Sequence, residues 1–498
     1  MDLVHQALID EKARLDQARQ LEIDYERAGD DAAARLTRDG QTGEQPQPAG
    51  AMTRGADNGK PGDDKPDLAP TRLTLALESD QYRFGAITAD AAVPERVVSI
   101  DPSLVMKAND ELAQEGDPDL QAERGIFLER LLLPRELQPY LATSAPLVML
   151  LDPRTARVHW EMVAQPDPDE VMRGADGDAP SGEIPRAFDP YRFLGTARGL
   201  TRQLRTTFTA PPEPPPPPRR RLRVLVVADP ADDASLPGAE LEGGIVADLF
   251  EAFNTFPDRD RAAGDNVVEV TRLFGPTEAT LTNVLRELMI RTYDVFHFAG
   301  HCFYNPNDPL GSGYIFHLDP LECLTAHELN RIDRIPKFVF SNACESGVTQ
   351  DRIDLRSIDL PPSFAEAFFG RGVANFVCTA WPVDDLAARQ FATTLYAGML
   401  GLTIDADGRA IGSAEPLPIY RALRDARVAI AATPNGAQTW GAYQHYGNPF
   451  FRFFARLPAS VPPAAAPHRR ARPLPERHER GEAAAASAAG ASPQVNDA

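Results

Sequence analysis

Two stretches decide the fold: VFHFAGHCFY at residues 295–304 and KFVFSNACESG at 337–347. Each opens as a short apolar run rich in Val and Phe and closes in small or polar residues. Runs of that length with little polar alternation predict strands covered on both faces, as in a parallel sheet. The first, 294–299, is predicted to stop at Gly300-His301-Cys302, and the second, 337–342, at Ala343-Cys344-Glu345-Ser346-Gly347. In an open parallel sheet, reactive groups gather just past the carboxyl ends of the strands. Adjacent strands would put His301 and Cys344 on one edge, roughly one strand spacing (~4.8 Å) apart. A thiol needs a base to become a nucleophile at neutral pH, and a neighbouring imidazole is the usual one.

Working outward, further strands are expected at 223–228, 267–274 and 374–380. Helices are expected between them at 238–253, 278–291, 326–332, 363–369 and 384–400. This alternation predicts an α/β domain over 221–456, a mostly parallel sheet flanked by helices. Upstream, 72–207 reads as a smaller α+β unit. It has a hairpin at 73–77 and 81–87, strands at 97–100, 147–151 and 158–163, and a helix from Asp117 as N-cap with Pro118 in its first turn. The apolar content of that unit (Phe127, Leu128, Leu131, Leu132, Val148, Leu150, Trp160) predicts packing against the catalytic sheet. Residues 1–38 read as one polar helix, 39–69 as a disordered linker, 211–221 as a Pro-rich hinge and 458–498 as a disordered tail.

Composition narrows the function. Acidic residues outnumber basic ones by 72 to 51, a formal charge of −21, which argues against direct nucleic-acid binding. Nothing resembles a secretory signal or a membrane span, so a cytoplasmic, reducing setting is expected. The four cysteines, Cys302, Cys323, Cys344 and Cys378, show no metal-ligand spacing, and no cofactor or metal is expected.

Bland readings apply to several of these residues. Cys323 and Cys378 read as small core residues. His297 lies four residues before His301, about 13 Å away along a strand, and reads as a hydrogen-bonded core histidine rather than a metal partner. His317 and His327 read as structural or exposed, and Gly311-Ser312-Gly313 as a mobile loop bordering the cleft. Gly300 is expected to let the chain turn, so that the backbone amides of Cys302 and Cys344 can receive an oxyanion. Trp381 is expected to wall the substrate groove.

The two opening stretches, followed by GVANFVCTAWPVDD (372–385), resemble the landmark motifs of CHAT domains, caspase-like cysteine peptidases of clan CD. Order, spacing and flanks agree over 221–456. A weaker resemblance upstream, including FLERLLLPRELQPYL (127–141), is to the catalytically silent, pseudo-caspase-like half that often precedes such domains. The resemblance implies His301 as base and Cys344 as nucleophile. It also implies a protein or peptide substrate in a bacterial stress, defence or signalling pathway, and leaves residues 1–38 as a segment for a regulatory protein partner. Asp384 and Asp385 follow the last core strand, where acids pair with a basic side chain in related arginine-cutting enzymes. Asp384 reads equally well as a helix N-cap. Asn342 stands where some basic-specific relatives carry an acid, and Cys302 where members commonly carry Gly. A scaffold that keeps the fold and binds a partner through the same groove is the alternative to an endopeptidase.

Overall fold

The computed structural model describes residues 69–455 apart from short stretches, the longest being 167–187, 206–215, 257–265, 304–310 and 346–372. The expectations for the N-terminal helix, the 39–69 linker, the 363–369 helix, most of the Pro-rich hinge and the tail fall outside the described residues.

One sheet of 13 strands runs through the described chain. Its C-terminal half contains β6 (Arg221–Ala228), β7 (Val267–Phe274), β8 (Val295–Phe303), β11 (Phe338–Glu345) and β12 (Asn375–Thr379). These five pair in parallel in the order β7-β6-β8-β11-β12. Antiparallel β9 (Gly313–His317) pairs with the last two residues of β8, and β10 (Glu322–Thr325) pairs with β9. On the other side β15 (Tyr443–Tyr446) runs antiparallel to β12 and joins β5 (Thr201–Leu204) in parallel. The sheet continues through β4 (Leu147–Leu151), β1 (Thr71–Glu78), β2 (Gln81–Ile87) and β3 (Ala92–Ser99). The strands before residue 205 therefore extend the sheet that carries β8 and β11 instead of forming a separate one.

Several local expectations are met for the reasons given. Asp117 caps α2 (Pro118–Leu132) by accepting from the N–H groups of Asp119 and Leu120, with Pro118 in the first turn. The same Asp-Pro device, not singled out in the sequence, starts α1 (Pro102–Ala113) at Asp101. One strand expectation is wrong. Residues 158–163 contain a single 3-10 turn, Trp160–Met162, because the buried Glu161 carboxylate is drawn inward onto the Arg202 guanidinium. The 311–313 segment is not a loop at the cleft either. Ser312 is fully buried and Gly313 opens β9. A Cβ at Gly313 would lie 2.4 Å from the Leu324 carbonyl oxygen, so the close approach of β10 requires glycine there.

Strand alternation divides the core. Val224, Val226, Val295, Phe338 and Phe340 face a layer built by α3 (Pro237–Ala252) and α5 (Asp385–Leu400). Leu225, Val227, Phe296, Phe298 and Val339 face α4 (Leu281–Ile290), which contributes Val284 and Leu288. Each fully buried Phe of this kind stabilises the fold by about 1.5–3 kcal/mol through burial alone.

Candidate active site

Both strands run longer than the sequence suggested. Gly300, His301 and Cys302 lie inside β8, and Ala343, Cys344 and Glu345 inside β11. The parallel register sets Cys344 directly across from His301, and Asn342 across from Ala299. Alternation puts position 344 on the sheet face of Phe338, Phe340 and Asn342, which is also the face of His297 and His301. Cys302 belongs to the opposite face, buried with Phe298 and Ala343, its thiol 3.3 Å from the Ala343 carbonyl oxygen.

Two expectations about the backbone are thereby corrected. Gly300 makes no left-handed turn; it sits in a strand, where an added Cβ would meet Phe298 and Pro230 at 3.1 Å. Close packing, not a turn, favours glycine there. Cys302 likewise has ordinary strand backbone without positive φ, so its side chain strains nothing.

His301 is almost fully buried, and its Nε2 lies 2.9 Å from the carbonyl oxygen of Ala234. A carbonyl can only accept, so Nε2 carries the proton and the lone pair of the neutral ring belongs to Nδ1. Burial pushes the His301 pKa below the ordinary histidine value, while the Ala234 contact and the charges of Asp229 and Asp233 partly restore it. The Ala234 loop is built by its own sequence. Asp229 takes a left-handed conformation (φ 48°), which Asp tolerates better than most residues. Its carboxylate accepts from Ser235 Oγ at 2.9 Å and from the Leu236 N–H at 2.6 Å, which turns the chain into α3. Asp233 accepts from the N–H groups of Leu318 and Asp319, tying the loop to β9. His317 lies 3.3 Å from Asp232 and 3.5 Å from Asp233. These three residues could offer one ligand atom each to a cation, but Asp233 already serves as a brace.

Beneath the edge lies a buried polar chain that the sequence reading missed in part. Asn342 donates from Nδ2 to Glu242 Oε2 at 2.6 Å, and Tyr443 donates its hydroxyl to Asn342 Oδ1 at 3.2 Å. His297 Nε2 is 3.2 Å from Glu242 Oε1, out of line for a hydrogen bond, and its Nδ1 is 3.2 Å from the Tyr396 hydroxyl. His297 is thus the polar-bonded core histidine expected. Glu242, on α3, carried no sequence signal beyond an acidic residue in an apolar helix.

The remaining candidates take other places. Asp384 caps α5, accepting from the Ala387 N–H at 3.0 Å and from Asn435 at 3.2 Å. Asp385 packs against Gly238 at the start of α3, where even a Cβ would lie 2.5 Å from its carboxylate. Trp381 is mostly buried, donating to the Gln438 carbonyl at 2.8 Å and lying edge-on to His159 at 4.7 Å. It joins the two halves of the chain more than it walls a groove. Burial raises the thiol pKa of Cys378, and burial with nearby glutamates raises that of Cys323 to about 12, so both stay protonated. A cavity of about 1010 Å³ between α3 and residues 407–410 holds none of the expected site residues.

The CHAT domain family matches residues 124–448, well over half of the sequence. The chain belongs to that family. The match begins inside α2, so CHAT membership reaches into the segment read as a silent half. No curated protein matches this CHAT chain. Among solved structures it is similar to the Saccharomyces cerevisiae separase–securin complex, at 11% identity and a TM-score of 0.30, over 61% of this chain and 15% of that one. It is also similar to the Arg-specific cysteine proteinase gingipain R, at 11% identity and a TM-score of 0.34, over 70% and 74% of the two chains. A complex of Porphyromonas gingivalis RgpB pro- and mature domains matches at 12% identity and a TM-score of 0.35, over 70% and 78%. The CHAT chain thus spans about 15% of the separase chain it matches. Among the described residues, no helix is long and apolar enough to cross a membrane.

Proposed function

We propose that the protein is a cysteine endopeptidase with His301 as base and Cys344 as nucleophile. The observation that carries this reading is the register pairing of His301 with Cys344 on one face of two adjacent parallel strands. The neutral ring, its Nε2 proton held by Ala234, has its basic lone pair at Nδ1 to take the thiol proton. The thiolate then adds to a peptide carbonyl of a protein substrate, and the oxyanion is received by the backbone N–H of Cys344; Cys302, paired with Tyr314 on one edge and Glu345 on the other, drops out of that role. Collapse of the adduct breaks the C–N bond, and the imidazolium returns its proton to the leaving amine. Water, deprotonated by the same histidine, hydrolyses the thioester and restores the thiol. Asp385, exposed in the first turn of α5, is the acid proposed for a basic substrate side chain. A reducing cytoplasm suits the free thiol, and residues 1–38 are retained as the segment for a regulatory partner.

The test is covalent labelling with a peptidyl electrophile under reducing conditions, read by mass spectrometry. Wild type should be labelled at Cys344, Cys302→Ala likewise, and Cys344→Ala not at all. His301→Ala should lose most labelling near neutral pH. Labelling that survives Cys344→Ala, or a wild type that never reacts, overturns the peptidase reading and leaves the scaffold.

A further inference from the structure

We propose that Glu242 is a positioning residue that locks together the two strands carrying His301 and Cys344. This rests on the dyad reading above and adds to it a part that acts on neither the substrate nor the thiol. Glu242 projects from α3 toward the sheet and is 2% exposed. One carboxylate oxygen binds Asn342, two residues before Cys344 on β11, and the other lies against His297, four residues before His301 on β8. Asn342 and His297 share a face with the dyad, so a single carboxylate spans both strands directly beneath it.

The neighbouring groups define the orientation of every member. Burial, with the Glu242 charge second, holds the Tyr396 hydroxyl protonated, so it can donate to His297 Nδ1. In the tautomer in which Nδ1 accepts that hydrogen, the His297 proton sits on Nε2, facing the Glu242 carboxylate at 3.2 Å. Tyr443 occupies the carbonyl end of the Asn342 amide and Glu242 the amino end, so the amide cannot flip without losing both bonds. The same helix, through the loop that precedes it, supplies the Ala234 carbonyl that orients His301. Helix α3 therefore touches β8 and β11 below the dyad and His301 at its outer side. A buried carboxylate is costly without partners, and an apolar residue at this buried position would carry no such cost. The polar choice is explained by the positional constraint it imposes, since displacements of about 1 Å can lower rates by about 100-fold.

The experiment measures the rate of Cys344 alkylation by iodoacetamide between pH 5 and 9 in the full chain. Circular dichroism confirms folding, and His301→Ala is run alongside. Glu242→Ala should slow alkylation near neutral pH by about tenfold or more and move its midpoint toward that of His301→Ala. Glu242→Gln keeps an acceptor for Asn342, and its amide can donate to His297 in the other tautomer, so it should recover most of the wild-type rate. If Glu242→Ala does not fold, Tyr443→Phe serves instead; it frees the other end of the Asn342 amide and should slow alkylation by about threefold. A Glu242→Ala profile equal to wild type overturns the proposal, as does Glu242→Gln as impaired as Glu242→Ala, or an unaffected Tyr443→Phe where that variant stands in. If His301→Ala itself matches wild type, the dyad reading has failed, and the variants at Glu242 are not what failed it.

Discussion

The ring of His301 donates from Nε2 to the backbone carbonyl of Ala234, 2.9 Å away, in a loop closed on itself by the Asp229 carboxylate. A backbone atom thus holds the ring tautomer, a task that falls to a carboxylate in the serine–histidine–aspartate triad. Backbone partners leave no sequence signature, which is why residues 229–236 did not stand out beside the two strand motifs. Charge still reaches the ring, because Asp229 and Asp233 flank it at longer range.

The acid limb of thiol alkylation or peptide cleavage should therefore lie below the ordinary histidine value of 6.5. Burial lowers the His301 pKa, so the ring remains neutral, and able to act as a base, at pH values where a free histidine is already charged. Replacing Asp229 by Asn removes a charge that supports the protonated ring, so the limb should move to still lower pH. A shift toward higher pH in Asp229→Asn would contradict the sign of that coupling. The slope of kcat/KM against pH supplies the measurement.

Asp384 should behave as a helix cap and not as a specificity residue. Asp384→Ala removes the acceptor of the Ala387 N–H and should cost about 1 kcal/mol in chemical denaturation, with Asp384→Ser restoring most of it. The ratio of cleavage rates on Arg-ended and Leu-ended peptides should stay within about twofold in both variants. A selective loss on the basic peptide would put Asp384 back in the pocket.

Strands β8 and β11 were legible because buried parallel strands are written as local Val/Phe runs, and because His301 and Cys344 close those runs. The helix starts at Asp117 and Asp384 were legible for a similar reason, since caps act over three residues. What could not be read is non-local. Glu161 bends a Val-His-Trp run into a 3-10 turn because Arg202, 41 residues on, claims its carboxylate. Strands β9 and β10 are short and are placed by non-local contacts, β9 pairing with the last two residues of β8 and β10 with β9. Glu242 finds its two partners on strands 55 and 100 residues away.

A fragment spanning 220–455 should fail to fold into a soluble product. Cutting away the first strands strips β5 from the edge of β15 and leaves that edge open to aggregation. It also removes Gly195, whose carbonyl receives the fully buried Arg427 at 3.0 Å, and Phe188 and Phe193, which pack on Trp440. Arg427 keeps the Tyr443 carbonyl but also loses the charge of Glu161, 3.8 Å away, and a buried charge that loses its partner costs several kcal/mol, of order 3–5. A monomeric fragment with a cooperative thermal transition and wild-type labelling at Cys344 would refute this.

Acid sensitivity should trace in part to His159 and be removable there. Burial, reinforced by the charge of Arg202, lowers its pKa to about 3. Below pH 6.5 the unfolded chain binds a proton that the folded chain refuses, so stability falls as pH falls. The loss is about 1.4 kcal/mol per pH unit for this group until pH nears 3. His445, lowered to about 3 by burial and Arg427, adds a second loss of the same sign. His159 meets Trp381 edge-on, and its Nδ1 has no hydrogen-bond partner, so phenylalanine can keep the ring contact without stranding a polar atom. His159→Phe should match wild type at pH 7 to within about 1 kcal/mol. Between pH 6 and pH 4 it should lose less stability than wild type by about 1.4 kcal/mol per unit. Urea titrations at four pH values give the comparison. Parallel stability curves for the two proteins would mean that His159 already carries its proton in the folded chain.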